Sequence, residues 1–154
     1  MELTLSLDEA VTLLRASGAL PDAVTDLVGE DSLVTGKVRV QDLPNLSGAV
    51  KAATRLAGTV GVQVADRGVV GRTWTLAVRA SHPMIPLDLS GLVTEFIESS
   101  LASHHVPGVG ARAQGGETLV TVDLDAVPGP FGEHVRVDAV TVGARIVVRA
   151  SALG

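Results

Sequence analysis

The chain contains no cysteine, so disulfides, zinc-thiolate sites and thiol catalysis are excluded. Tyrosine is also absent, and the aromatic side chains are one tryptophan and two phenylalanines. Positive charge is scarce: 12 basic against 17 acidic residues leave a formal charge of -5. A nucleic-acid partner needs a basic track to neutralise phosphates and, for single strands, aromatic platforms on which bases stack, and neither is present here. No apolar run approaches the ~18 residues of a membrane-spanning helix. The opening "MELTLSLDEAVTLLRASG" lacks a basic n-region and carries Glu2, Asp8 and Glu9 where a signal peptide would be apolar, so a cytoplasmic location is expected.

What the chain has in abundance is small aliphatic side chains. Its hydrophobic fraction is 46% and its mean hydropathy +0.39, supplied mainly by Val, Leu and Ala. At 154 residues it has the length of one domain with a sizeable core. Arg greatly outnumbers Lys, and Ala, Val and Gly are frequent, which resembles the coding bias of a high-GC bacterium.

Periodicity divides the domain into a helical N-terminal segment, 1–30, and a helix-and-hairpin region, 34–150. Ser6 and Glu9 form a capping-box pattern ahead of Ala10, Val11, Leu13 and Leu14, with Gly18 as a stop, which predicts a short helix. "LPDAVTDLVGEDS" places Pro21 at a first helical position and Gly29 at an end, predicting about two further turns. "VTGKVRV" alternates Val34, Gly36, Val38 and Val40 against polar residues and reads as a half-buried strand. Residues 43–58 have helical spacing. Val60, Val62 and Val64, then Trp74, Leu76 and Val78, alternate as the two arms of a hairpin. "HPMIPLD" is extended because Pro83 and Pro86 bar a helix. Two more hairpins are expected at the C-terminal end, turning at Gly115–Gly116 and near Gly143–Ala144, on either side of the Pro/Gly turn "PGPFGE". The helix and hairpin from "NLSG" loosely recur from "DLSG", a match that convergent patterning explains as well as duplication does.

The stretch "DLSGLVTEFIESSLASHH", residues 88–105, concentrates the candidates for chemistry. At 100° per residue, Leu89, Leu92, Val93, Phe96, Ile97 and Leu101 fall in one apolar stripe, while Glu95 and Glu98 project from the other side. His105 shares the azimuth of Glu98 but lies two turns along, roughly 10 Å away, too far for a direct acid–base hydrogen bond. The histidines read as a helix terminus favourable to the macrodipole. His82, His104, His105 and His134 lack metal-ligand spacing, so no metal is expected. Asp123 and Asp125 read as a solvated strand face, with a cation or a catalytic pair needing a third group. "GVG" at residues 108–110 precedes a strand and lacks a third spaced glycine, and neither a Gly-x-Ser-x-Gly elbow nor a Walker lysine occurs. No cofactor is implied. Trp74 reads as core in preference to a ligand platform.

The segments "VRVDAVTV" (135–142) and "IVVRA" (146–150), following amphipathic helices and Val-rich ribbons, carry a resemblance. Across residues 34–150 the chain resembles bacterial tubular lipid-binding proteins, nearest an actinobacterial group of periplasmic phospholipid-binding proteins with V-x-V-x-x-V-x-V and I/L-V-V-x-A hairpins. That resemblance implies an α+β fold in which strongly curved antiparallel hairpins wrap one central amphipathic helix. It implies an acyl chain or phospholipid bound between them and no catalytic residues. Leu89, Leu92, Val93, Phe96, Ile97 and Trp74 are then the expected ligand-contacting residues. Two other functions stay open on the residues alone. One is a hot-dog-like acyl-thioester enzyme using Glu95 or Glu98. The other is a non-catalytic homo-oligomeric scaffold that buries excess apolar surface between subunits.

Overall fold

A computed structural model of the chain describes residues 1–18, 20–43, 58–82, 84, 89–126 and 134–153. The expected helix over 43–58, apart from its end positions Leu43 and Gly58, and the "PGPFGE" turn lie outside the described residues, as does most of "HPMIPLD". Among the described residues the fold is α+β, with two helices and two antiparallel sheets.

The chain opens with strand β1, Glu2–Ser6, and helix α1, Leu7–Ala16. Ser6 is the N-cap, its Oγ accepting from the Glu9 backbone N–H at 3.1 Å, as the capping-box spacing requires. Strand β1 was not anticipated. Its partner is β9, at the other end of the chain, with Glu2 opposite Arg149 and Ser6 opposite Arg145, a pairing that no local pattern reveals.

Residues 24–30 overturn the expected second N-terminal helix. They form strand β2, Val24–Glu30, in a hairpin with β3, Leu33–Arg39. Pro21 and Gly29, which suggested a helix start and stop, bound none: Pro21 precedes the strand and Gly29 lies within it. Between Thr25 and Val28 the register slips at a bulge, where Asp26 has φ +55°, so the face alternation changes parity. Val24 and Leu27 thereby face the same side three residues apart. Val24, Thr25 and Val28 are β-branched and pair along β3, and Asp31 and Ser32 make the turn.

A 3-10 turn at Val40–Asp42 follows, and then the longest hairpin, β4 (Thr59–Val70) with β5 (Thr73–Ser81). Helix α2 spans Ser90–His104. Its N-cap residue is Leu89, without a side-chain cap, and its C-cap is His105 in the left-handed region at φ +51°. Strands β6 (Val109–Gln114) and β7 (Glu117–Asp123) turn at Gly115–Gly116, and β8 (Val135–Val142) and β9 (Arg145–Ala152) turn at Gly143–Ala144, as expected.

The strands assemble into a six-stranded sheet, β2-β3-β4-β5-β7-β6, and a three-stranded sheet, β1-β9-β8. These are two separate sheets and not one strongly curved wrap around a helix, which corrects the architecture implied by the family resemblance. Register aligns one face of the larger sheet: Val34, Gly36 and Val38 on β3, Val60, Val62, Val64 and Asp66 on β4, Trp74, Leu76, Val78 and Ala80 on β5, and Thr118, Val120 and Val122 on β7. Helix α2 packs over β5, β7 and β6 on this inner face. The three-stranded sheet meets the larger one where β8 approaches β4. The opposite face carries charge: Arg67 and Arg79 both bind Glu117 Oε1, at 2.9 and 2.8 Å.

The junction of the two sheets is built from backbone and one carboxylate. Asp66 accepts from the Gly68 N–H and the Trp74 indole N–H through Oδ1, at 2.8 and 3.0 Å, and from the Val142 N–H of β8 through Oδ2 at 2.8 Å. Beside it, the β8–β9 turn lies directly on the β2–β3 turn. A Cβ at Gly143 would collide with the Asp31 carbonyl, and one at Gly29 would lie 2.8 Å from Ala144 Cα.

Candidate functional site

Between α2 and the inner face of β2–β5 lies a cavity of about 330 Å³. Its floor is made by Val24 and Leu27 of β2, Val34, Gly36 and Val38 of β3, Val60, Val62 and Val64 of β4, and Val78 and Ala80 of β5. Its roof is the α2 stripe: Leu89, Leu92, Val93, Phe96 and Ile97. Leu20, Val40 and Leu43 complete the described lining, in which Thr35 is the one hydroxyl-bearing residue and none carries charge.

All five stripe residues expected to contact a ligand therefore come together over one space. The reason is geometric: α2 lies across the larger sheet, so a stripe recurring every third or fourth residue faces it along the whole helix. At one end of the space Val38, Val60 and Leu89 form a buried cluster, against which Val24, Val62 and Leu92 pack. Gly36 shapes the floor, since a Cβ there would stand 2.7 Å from Leu27 Cδ2. The glycine leaves room for the leucine in the wall.

Trp74 belongs elsewhere. It shares the inner face with Val78, but four residues along a strand amount to about 13 Å. That distance carries it from under the helix to the sheet junction, where its indole N–H binds Asp66. It is not among the lining residues.

The orientation of α2 is fixed by a buried hydroxyl pair. Thr118 on β7 is fully buried, and its Oγ1 lies 2.9 Å from Thr94 Oγ1 and 3.1 Å from the Ser90 carbonyl, to which Thr94 Oγ1 also approaches at 2.8 Å. Two hydroxyl protons serve three contacts, so two of the three are made at a time. The cluster pins the first turns of α2 to β7 and sets which residues of the helix look down on β2–β5. Thr118→Val should cost about 1–2 kcal/mol in chemical denaturation, because Thr94 loses its buried partner while shape is retained. A change within 0.3 kcal/mol of wild type would show that the hydroxyl pair does not hold the helix.

The polar candidates are not gathered at the cavity. Glu95 and Glu98 are both exposed on α2. His105 and His134 are exposed, and among the described residues no three His, Asp or Glu side chains converge as a metal would require. Asp125 receives Arg72 Nε at 2.9 Å, and Asp123 Oδ1 accepts the Asp125 N–H at 3.0 Å. Strand β7 ends at Asp123, so these two carboxylates form a turn held by an arginine and do not share a strand face. On β8 a hydrogen bond from the Ser151 hydroxyl, with Arg136 and Arg72 nearby and a smaller opposing desolvation, holds the Asp138 carboxyl below its ordinary range. It stands outside the cavity lining.

The β2–β5 floor was missing from the expected site. Alternating valines at 34 and 38 and at 60, 62 and 64 marked buried strand faces, but not which face α2 would cover. No helix among the described residues is long and apolar enough to cross a membrane. No family model, curated protein or solved structure matches the chain, so the meaning of this site rests on its own geometry.

Proposed function

We propose that the protein binds a hydrophobic ligand, an acyl chain or phospholipid, in the cavity between α2 and the larger sheet, without catalysis. The observation that carries this reading is the pairing of size with chemistry: about 330 Å³ walled by aliphatic side chains from β2, β3, β4, β5 and α2. A lining this apolar is stabilised when an alkyl chain covers it, by about 25 cal/mol for each Å² taken out of water. Aliphatic walls with little polarity suit an alkyl chain, and the volume sits at the small end of ordinary ligand sites.

The acyl-thioester enzyme is less favoured by position. Its carboxylate would have to reach the acyl group, and Glu95 and Glu98 project into solvent, away from the cavity. Native mass spectrometry of protein purified without detergent, followed by organic extraction, tests the reading. The expected result is a substoichiometric or stoichiometric adduct that extracts as acyl-bearing material. Ligand-free protein that also fails to bind a fluorescent fatty acid would sink it.

A further inference from the structure

Resting on that reading, we infer that the cavity takes one unbranched alkyl chain of about ten to twelve carbons, selected by length, with the head group left outside the aliphatic walls. Aliphatic side chains of the sheet and of α2 face each other across the cavity, a lining that suits one alkyl chain.

The dimensions of the walls agree. Along β4 the floor runs from Val60 to Val64, about 13 Å at strand rise. Along α2 the roof runs from Leu89 to Ile97, about 12 Å at helical rise. Both walls thus extend over the same short length, and at the Val38–Val60 end Leu20, Val40 and Leu43 continue the lining. Beyond the other end the inner face passes to Asp66 and Trp74, which are committed to each other and to β8. A longer chain meets the sheet junction instead of more cavity.

Head-group selection would require a buried polar or charged anchor, because a carboxylate placed against apolar walls loses its hydration with nothing in return. Among the described lining residues Thr35 alone offers a side-chain hydroxyl, and no ammonium or guanidinium faces the space. Affinity should therefore follow apolar area and be nearly blind to the charge of the head.

Titration calorimetry on the full chain, stripped of bound lipid, with n-alkanoates and n-alkanols from six to sixteen carbons tests this. The expected result is about fourfold tighter binding per added methylene up to a break near twelve carbons, then no further gain. Acid and alcohol of equal length should agree within about threefold. Val62→Phe, which extends a ring into the cavity from the floor, should move the break to shorter chains. Ala80→Leu serves the same purpose if the first variant folds poorly. Three results would overturn the inference while leaving a hydrophobic-ligand site in place: a gain that continues through sixteen carbons, a tenfold preference for carboxylate over alcohol, or one-to-one displacement of the alkyl probes by dioleoylphosphatidylcholine at higher affinity. Failure of every probe to bind would overturn both the inference and the function on which it rests.

Discussion

Gly143→Ala should destabilise the protein by about 3 kcal/mol, lowering Tm by about 10 °C, although it adds one methyl group at a turn. The added Cβ falls within the van der Waals surface of the Asp31 carbonyl oxygen and 2.7 Å from its carbon. Both are main-chain atoms of the β2–β3 turn, so no side chain can rotate aside. Either the hairpin β2–β3 moves off the three-stranded sheet or the β8–β9 turn deforms. Gly29→Ala meets the same surface from the opposite direction, 2.7 Å from Gly143 C, and the two substitutions together should cost less than their sum. Gly91→Ala supplies the contrast. It lies in α2 with open space around its Cβ position, so it should stabilise by about 0.5–1 kcal/mol through helix propensity. The same chemical change would thus act with opposite signs at two glycines. Chemical denaturation that placed Gly143→Ala within 1 kcal/mol of wild type would mean that the two turns do not touch.

Asp66→Ala is expected to cost about 3 kcal/mol, the other large effect, through lost hydrogen bonds and not through lost volume. One half-buried carboxylate satisfies three donors: the bulge N–H of Gly68, the indole of Trp74 and the Val142 N–H of the second sheet. Removing it leaves the indole and the β8 amide without that acceptor at the junction of the sheets; such bonds to a charged acceptor contribute about 1.5–3 kcal/mol each net of water, and at this half-buried site solvent replaces part of that. Asp66→Asn should be intermediate. Its amide oxygen can still serve Gly68 and Trp74, but its NH2 group would face the Val142 N–H, donor against donor. Trp74→Phe should cost about 1 kcal/mol alone, and a double-mutant cycle with Asp66→Ala should return a coupling of about 1 kcal/mol. Additive effects would show that the indole and carboxylate do not interact. Because Trp74 stands outside the cavity lining, Trp74→Phe should leave alkyl-chain affinity unchanged within about twofold.

These two sites also mark where one-dimensional reading stops. Elements bounded by short-range chemistry were legible: the Ser6–Glu9 cap of α1, the Gly115–Gly116 turn and the alternating valines of β3 and β4 stand in the structure where local rules put them. The apolar stripe of α2 was legible too, because helical angle depends on residue spacing alone, and it correctly grouped Leu89, Leu92, Val93, Phe96 and Ile97. Strand β2 was misread because Pro21 and Gly29 can punctuate a helix or a strand, and here Gly29 stands inside the strand, against the β8–β9 turn. Strand β1 escaped because its hydrogen bonds are completed by residues about 145 positions away.

For the candidate site the division follows the same physics. Which residues share a face is a property of the local backbone period, and the chain alone specified it for helix and strands. Which faces meet depends on packing between elements distant in sequence. Only the assembled fold packed α2 on β5, β7 and β6 and left a cavity between it and β2–β5, and it gave the far end of the same sheet face, with Asp66 and Trp74, to the smaller sheet. Trp74 and Val78 are indistinguishable by alternation, yet 13 Å of strand separates a cavity wall from a structural joint.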